Sequence, residues 1–317
     1  MEVAAQTIQS KKVLKKAESE VIRTLAYFNI FRHPLTKNEI ERFSSYQFKS
    51  DELNASLNHL VDAGIIFSNS NYFLMQQNHH IVEYRKLGNQ RAENIMPVAK
   101  KYSTRIAGFP FVKGVFISGS LSKGVMQKNS DLDFFIITSQ NRLWICRTLL
   151  ILYKKIFLLN SHKYFCLNYF ISENNLSIPD KNLFTAVELL TLMPMYNVRL
   201  YEEFLVENKW ALDFFPNAEI RHKDEQLKPQ KLLFKKTAEK IFGSNIGNSI
   251  DTLCMNITNW FWKRKYKKNP EIDFDHSIRS SKNVSKYHPN FFQHKTLSLF
   301  ETALQNFETN TGYKLAK

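Results

Sequence analysis

VFISGSLSKGVMQKNSDLDFFIIT, Val115 to Thr138, is the stretch whose reading decides the fold. An apolar run, Val115 to Ile117, ends in Ser118-Gly119-Ser120, a polar connection comes next, and a second apolar run opens on Asp131 and Asp133 with Leu132 between them. Side chains alternate faces along a strand, so the two carboxylates point one way while Leu132 and Phe134 share the other. Two carboxylates this close repel and raise each other's pKa, an arrangement that is costly unless a cation sits between them. Mg²⁺, a hard ion that takes oxygen ligands and commonly only one or two carboxylates plus substrate phosphates, is the usual reason for such a pair. Gly119 and Ser120 supply what phosphates need: close backbone approach, outward N–H groups, a hydroxyl, and the positive end of any helix that starts there.

Gly119-Ser120, ten residues, then Asp131-Leu132-Asp133 between apolar neighbours resembles the signature of the DNA polymerase beta type nucleotidyltransferase superfamily. The resemblance implies an α/β (α+β) nucleotidyltransferase fold, a mixed sheet flanked by helices. It implies Asp131 and Asp133 as catalytic Mg²⁺ ligands, Gly119 and Ser120 as a cradle for the β and γ phosphates of an NTP, ATP first among them, and Lys123 as a further phosphate contact. The implied reaction is Mg²⁺-dependent transfer of an NMP group from the NTP to an acceptor. The superfamily's third carboxylate, which deprotonates the attacking hydroxyl, comes from a later strand. Tyr164 to Ser172 reads as that strand, and it offers Asn168. Asparagine can ligate a metal through its carbonyl oxygen but is a poor proton acceptor. Three alternatives stay open: Glu173 substitutes if its loop folds back, the substrate supplies an activated acceptor, or the domain binds nucleotide and transfers nothing.

The chain has 317 residues, room for two or three domains, and its 44% hydrophobic and 14% aromatic content builds a sizeable core. A formal charge of +15 points to an anionic partner: nucleotide phosphates, RNA or another polyanion, or an acidic surface. Charge concentrates between Arg221 and Lys268, where twelve Lys or Arg face four acids. Cys146, Cys166 and Cys254 lie apart in apolar runs and read as reduced core thiols, which with the absence of an apolar leader predicts a cytoplasmic protein. The most apolar window, Leu143 to Ile171, is broken by Lys154-Lys155 and Ser161-His162-Lys163, so no transmembrane segment is expected.

Upstream, a helix from Glu18 carries Val21, Leu25 and Phe28, a capping box joins Thr36 to Glu39, and a third helix after Ser50 carries Leu53, Leu57 and Leu60. Ile65 to Leu74 reads as a hairpin. Residues 16–76 thus resemble a winged-helix module. Its third helix shows Asp51, Glu52, Asn54, Asn58 and His59 to solvent with no Lys or Arg, which argues against DNA readout and favours an interaction or positioning role. A long helix is expected over residues 77–109, with Pro97 as a kink.

After the acidic strand a helix runs from Asn141 to about Asn160, with Arg142 and Arg147 expected near the rim of the site. Another helix, Asp180 to Met195, carries Glu188, for which a structural pairing with a cation is expected. Trp144-x-x-Arg147, Cys166 to Tyr169, Leu183 to Leu189 and Phe214 to Ala218 together resemble a bacterial group of nucleotidyltransferase-domain proteins with an N-terminal helical module. Domain boundaries are expected at 16–76, 77–220 and 221–317, the last a basic helical region. Its helices, Lys231 to Phe242 and Ile246 to Lys268, interleave aromatics with cations. They could stack on bases, seat on a membrane surface, or pack on the domain with solvated cations. His276, His288 and His294 lack metal-ligand spacing, and Thr296 to Phe307 reads as a closing helix. The rival to catalysis is a silent nucleotidyltransferase-like scaffold that binds nucleic acid or protein through Lys263, Arg264, Lys267 and Lys268.

Overall fold

The computed structural model describes residues 12–161, 163–219, 227–267, 278–287 and 292–317. Lys268, His276 and His288 lie outside these. The chain forms two compact units: residues 1–85, 212–218 and 295–317 make the first, and residues 86–211 and 219–294 the second. The stretch 221–317, expected as one region, is therefore shared between them.

In the first unit the helices Lys16–Asn29, Lys37–Arg42 and Glu52–Asp62 surround Val21, Ile22, Leu25, Ile40, Leu57 and Leu60, all nearly or fully buried. Thr36 Oγ1 accepts from Glu39 N while Glu39 reaches back to Thr36 N, the expected capping box. Leu35–Thr36, Tyr72–Leu74 and Phe67–Asn69 pair antiparallel in that order. The chain's last residues also belong here. Lys12–Val13 runs parallel to Tyr313–Lys314, and the helix Phe292–Thr311, longer than expected, sets Phe300 edge-on to Tyr27.

The helix His79–Ala107 starts in the first unit and continues in the second, and Pro97 lies inside it without ending it. The second unit is built on a six-stranded mixed sheet. Its order is Met193–Tyr196, Val112–Ser118, Asp133–Thr138, Cys166–Ser172, Val284–Lys286, Ser280–Ser281, and only the pairing of Asp133–Thr138 with Cys166–Ser172 is parallel. Three of these strands differ from expectation. The apolar pattern carries a helix as far as Met195, but that helix stops at Thr191 and Leu192 takes extended backbone (φ −50°, ψ 139°), releasing Met193–Tyr196 to edge the sheet. The Ser280–Ser281 and Val284–Lys286 hairpin lies in the tail expected to be helical, and it is too short and polar to show a strand period.

Phe116, Phe135 and Tyr169 stack across three strands on one face, with centroids 6.0 and 5.0 Å apart, under Tyr201 and Phe204 of the helix Val198–Glu207. On the other face Val115, Ile117, Phe134, Ile136 and Phe170 meet Leu143, Trp144 and Leu150 of the helix Leu143–Phe157 and Trp262 of the helix Asn245–Tyr266. Among the described residues no helix is long and apolar enough to cross a membrane.

Candidate active site

Asp133 is the first residue of its strand, paired with Ser118 at the end of one neighbour and Cys166 at the start of the other. Before it, Leu132 is fully buried, its N–H donating to Lys163 O at 2.9 Å and its carbonyl accepting from Cys166 N at 3.0 Å. This extended pairing keeps Asp131 and Asp133, both half-buried, on the side opposite Leu132, as the alternation predicts. Gly119 adopts φ +68°, the left-handed region, and a Cβ on it would overlap Asp133 Oδ2. Glycine is needed here twice, for the turn and for the carboxylate's approach. The helix it opens, Gly119–Ser122, is a single turn, so its backbone N–H groups matter more than any macrodipole.

Asn168 sits where the superfamily's third carboxylate was expected, and its Nδ2 donates to Asp133 Oδ1 at 2.8 Å. Its Oδ1 accepts from the Cys166 thiol at 3.3 Å. Cys166 and Asn168, two apart on their strand, share a face by alternation, and the register shift between Phe134 and Phe135 leaves Asn168 as the extra residue beside Asp133. Asp133 is pushed up to about 6, first by burial and further by the charges of Asp131 and Glu188, against the opposing pull of the Cys166 thiol and Lys123. The Cys166 thiol is itself pushed up to about 12, by burial and then by Asp133, so it remains a protonated donor.

Lys123 Nζ donates to Glu188 Oε1 at 2.7 Å and to Gly119 O at 3.1 Å. Glu188, on the helix Leu183–Thr191, thus has its structural partner in Lys123, the residue expected to contact phosphate, and its charge reaches Asp133. Ser122 Oγ donates to Gly119 O at 2.8 Å and fixes the turn, while Ser120 Oγ makes only a long contact of 3.4 Å to Met126 Sδ.

Three expectations fail on strand direction. Asp133–Thr138 carries the chain away from the carboxylates, so the residues after Thr138 lie at the far end of the sheet, roughly 16 Å on. Glu173 is there, after the Thr138 and Ser172 pair, accepting from Gln140 N at 3.2 Å, and cannot stand in for Asn168. Arg142 is not at a rim: it is buried and donates to Asn248 Oδ1 (2.6 Å), Gly243 O (2.9 Å) and Ser244 O (2.8 Å), holding the junction of two C-terminal helices. Arg147 is buried over the rings of Trp262 (4.8 Å) and Trp144 (5.7 Å), and burial lowers it to about 10.

Sequence reasoning did not single out Cys166 for the site, since it looks like any core thiol, and it gave Glu188 no named partner, since Lys123 lies 65 positions away. Comparison with known proteins finds the nucleotidyltransferase domain family over residues 99–188. No curated protein and no solved structure matches the chain. The matched span holds the glycine turn, both aspartates, Asn168, Lys123 and Glu188, and over it the chain carries a nucleotidyltransferase domain, consistent with the DNA polymerase beta type.

Proposed function

We propose that this domain transfers an NMP group from an NTP, ATP first among candidates, to an acceptor hydroxyl or phosphate, with Mg²⁺ held by Asp131 and Asp133. The observation that carries the reading is the convergence of Asp131 and Asp133 beside Gly119, in a place where Asp133 is costly to ionise without a counter-charge. The donor set fits: two carboxylates suit an ion that takes its remaining ligands from water and phosphates, and among the described residues no three His, Cys, Asp or Glu gather into a self-sufficient metal cage. The ion would neutralise charge on the triphosphate and on departing pyrophosphate.

Gly119 and Ser120 would hold the β and γ phosphates through N–H and hydroxyl groups, and Lys123 would exchange Glu188 for phosphate oxygens. That exchange frees a carboxylate on the Gly119 side of Asp133, across from the strand that carries Asn168. Glu188 would then take the proton of the acceptor O–H while its oxygen bonds the α-phosphorus, the bridging P–O bond breaks, and pyrophosphate leaves. Asn168 would keep Asp133 oriented through its amide hydrogen bond. A transferred label from α-³²P ATP into added acceptors tests this. Asp131→Asn should lower transfer by at least about a hundredfold, and Glu188→Gln should lower it while leaving Mg²⁺-dependent ATP binding, measured by calorimetry, within about threefold.

A second reading, a silent nucleotidyltransferase-like scaffold that binds nucleic acid or protein, is favoured by Asn168 occupying the third-carboxylate position. It predicts salt-sensitive RNA or DNA binding that survives Asp131→Asn/Asp133→Asn and weakens when Lys263, Arg264, Lys267 and Lys268 are neutralised, and no labelled product with any acceptor.

A further inference from the structure

The helix Asn245–Tyr266 is fixed on the domain by an inner side and bare on its outer one. Asp251 is fully buried, and its Oδ1 accepts from Trp144 N (2.8 Å) and Ile145 N (2.9 Å), capping the helix Leu143–Phe157. Gly247 and Trp262 are buried with it. With rotation thus set, Ile246, Leu253, Ile257, Trp260 and Phe261, between 48% and 69% exposed, share an outward arc of roughly 100° along a 22-residue helix. The preceding helix Leu233–Phe242 adds Leu233, wholly exposed, and Ile241 two turns on. Stripes of this length on a soluble surface mark something that covers them.

The charges say what covers them. From Leu227 to Lys267 there are nine Lys or Arg and two acids, and both acids are turned inward: Asp251 as above, and Glu239, whose Oε1 accepts from Phe111 N at 3.0 Å. The outward charge is therefore all positive, with Lys236, Lys240, Lys263, Arg264 and Lys267 exposed beside the apolar stripes. We infer that this face docks on an anionic lipid bilayer surface, the aliphatic side chains entering the acyl boundary, Trp260 lying at headgroup level and the cations meeting lipid phosphates. Nucleic acid would use the cations and the two aromatics but leaves Leu233, Ile246, Leu253 and Ile257 without a role, because aliphatic chains do not stack on bases. A second copy would bring the same cations against these. This inference goes beyond nucleotidyl transfer and does not depend on it.

The test is sedimentation of the full chain with phosphatidylcholine vesicles and with 7:3 phosphatidylcholine:phosphatidylglycerol vesicles, in 0.1 M salt. Binding to the anionic vesicles should exceed binding to neutral ones by at least about tenfold. Lys263→Gln/Arg264→Gln/Lys267→Gln should weaken it by roughly a hundredfold, and Leu253→Gln/Ile257→Gln/Trp260→Gln, with every cation kept, by a similar factor. Quenching of tryptophan emission by brominated lipid in the unsubstituted chain gives a readout that needs no variant. No binding to anionic vesicles, no quenching, or undiminished binding by the apolar triple variant overturns the inference. Displacement of vesicles by single-stranded RNA whose own binding ignores the apolar triple would overturn it in favour of nucleic acid. A dimeric mass that the apolar triple reduces to a monomer, without vesicle binding, would overturn it in favour of self-association.

Discussion

Asp133 carries more of the site's energetics than its motif position suggests. Its folded value of about 6 lies above the ordinary 3.8, so between those pH values the folded chain holds a proton that the unfolded chain has released. Stability therefore falls as pH rises through that window, and the penalty is complete above about 6. Asp133→Asn removes it: in EDTA at pH 8 the variant should be more stable than wild type by about 1 kcal/mol in urea unfolding, and the difference should vanish at pH 4. Under the proposed function, cation-dependent ATP binding should have the opposite slope, weakening as pH drops below about 6 because it would need the carboxylate. Gly119 sets the other limit. At φ +68° with Asp133 Oδ2 against its α-carbon, Gly119→Ala meets both backbone strain and a displaced ligand, and should cost about 1–3 kcal/mol of stability together with Mg²⁺-dependent nucleotide binding. Normal binding by a normally stable Gly119→Ala protein would show that the turn does not hold the site.

At the scale of elements, the site is assembled by strand ends and the fold around it by helix ends. Asp251 is a buried acid whose burial pushes its pKa up while two backbone N–H groups hold it down, and it satisfies donors that the helix Leu143–Phe157 leaves open at its start. Asp251→Ala should cost about 2–3 kcal/mol, seen as a lower urea midpoint, because Trp144 N and Ile145 N then lie buried without a partner. Retained stability would mean that water replaces the carboxylate. The two motif strands, the glycine turn and the strand holding Asn168 are legible in the sequence because each obeys a local rule: period-two alternation, a Gly-Ser end, apolar flanks. The illegible features are distant ones. Nearness along the chain puts Arg142 and Glu173 beside the carboxylates, whereas the direction of Asp133–Thr138 sends both to the far edge. The Lys123 and Glu188 pair, the Met193–Tyr196 edge strand and the Val284–Lys286 strand depend on tertiary partners that no local period encodes. Basic composition over 227–267 is legible, but that both acids there turn inward, leaving the cations unopposed, is a matter of helix rotation that composition does not carry.

For the whole molecule the main departure from the sequence reading is that the first unit closes with the chain's far end. Winged-helix-like boundaries at 16–76 leave out the strand Tyr313–Lys314, which runs parallel to Lys12–Val13. They also leave out Leu14 N donating to Lys314 O at 2.9 Å, Ala316 N donating to Ser19 Oγ at 2.9 Å and Arg23 Nη2 donating to Ala316 O at 2.5 Å. Bringing together segments some 300 residues apart costs chain entropy that grows only slowly with loop length, so a handful of hydrogen bonds and buried contacts is enough to hold them. Deleting residues 312–317 removes the strand and these bonds while leaving the helix Phe292–Thr311 and its Phe300 contact to Tyr27 in sequence. At about 0.5–1.5 kcal/mol for each bond lost, the first unit should lose roughly 2–4 kcal/mol. Hydrogen exchange should then speed up by at least about thirtyfold at the amides of Lys16–Asn29, with the strand Asp133–Thr138 as the internal reference. Equal acceleration in both places would make the C-terminal strand a support for the whole chain rather than for its first unit, and no acceleration at all would mean that the helices Lys16–Asn29, Lys37–Arg42 and Glu52–Asp62 hold without it.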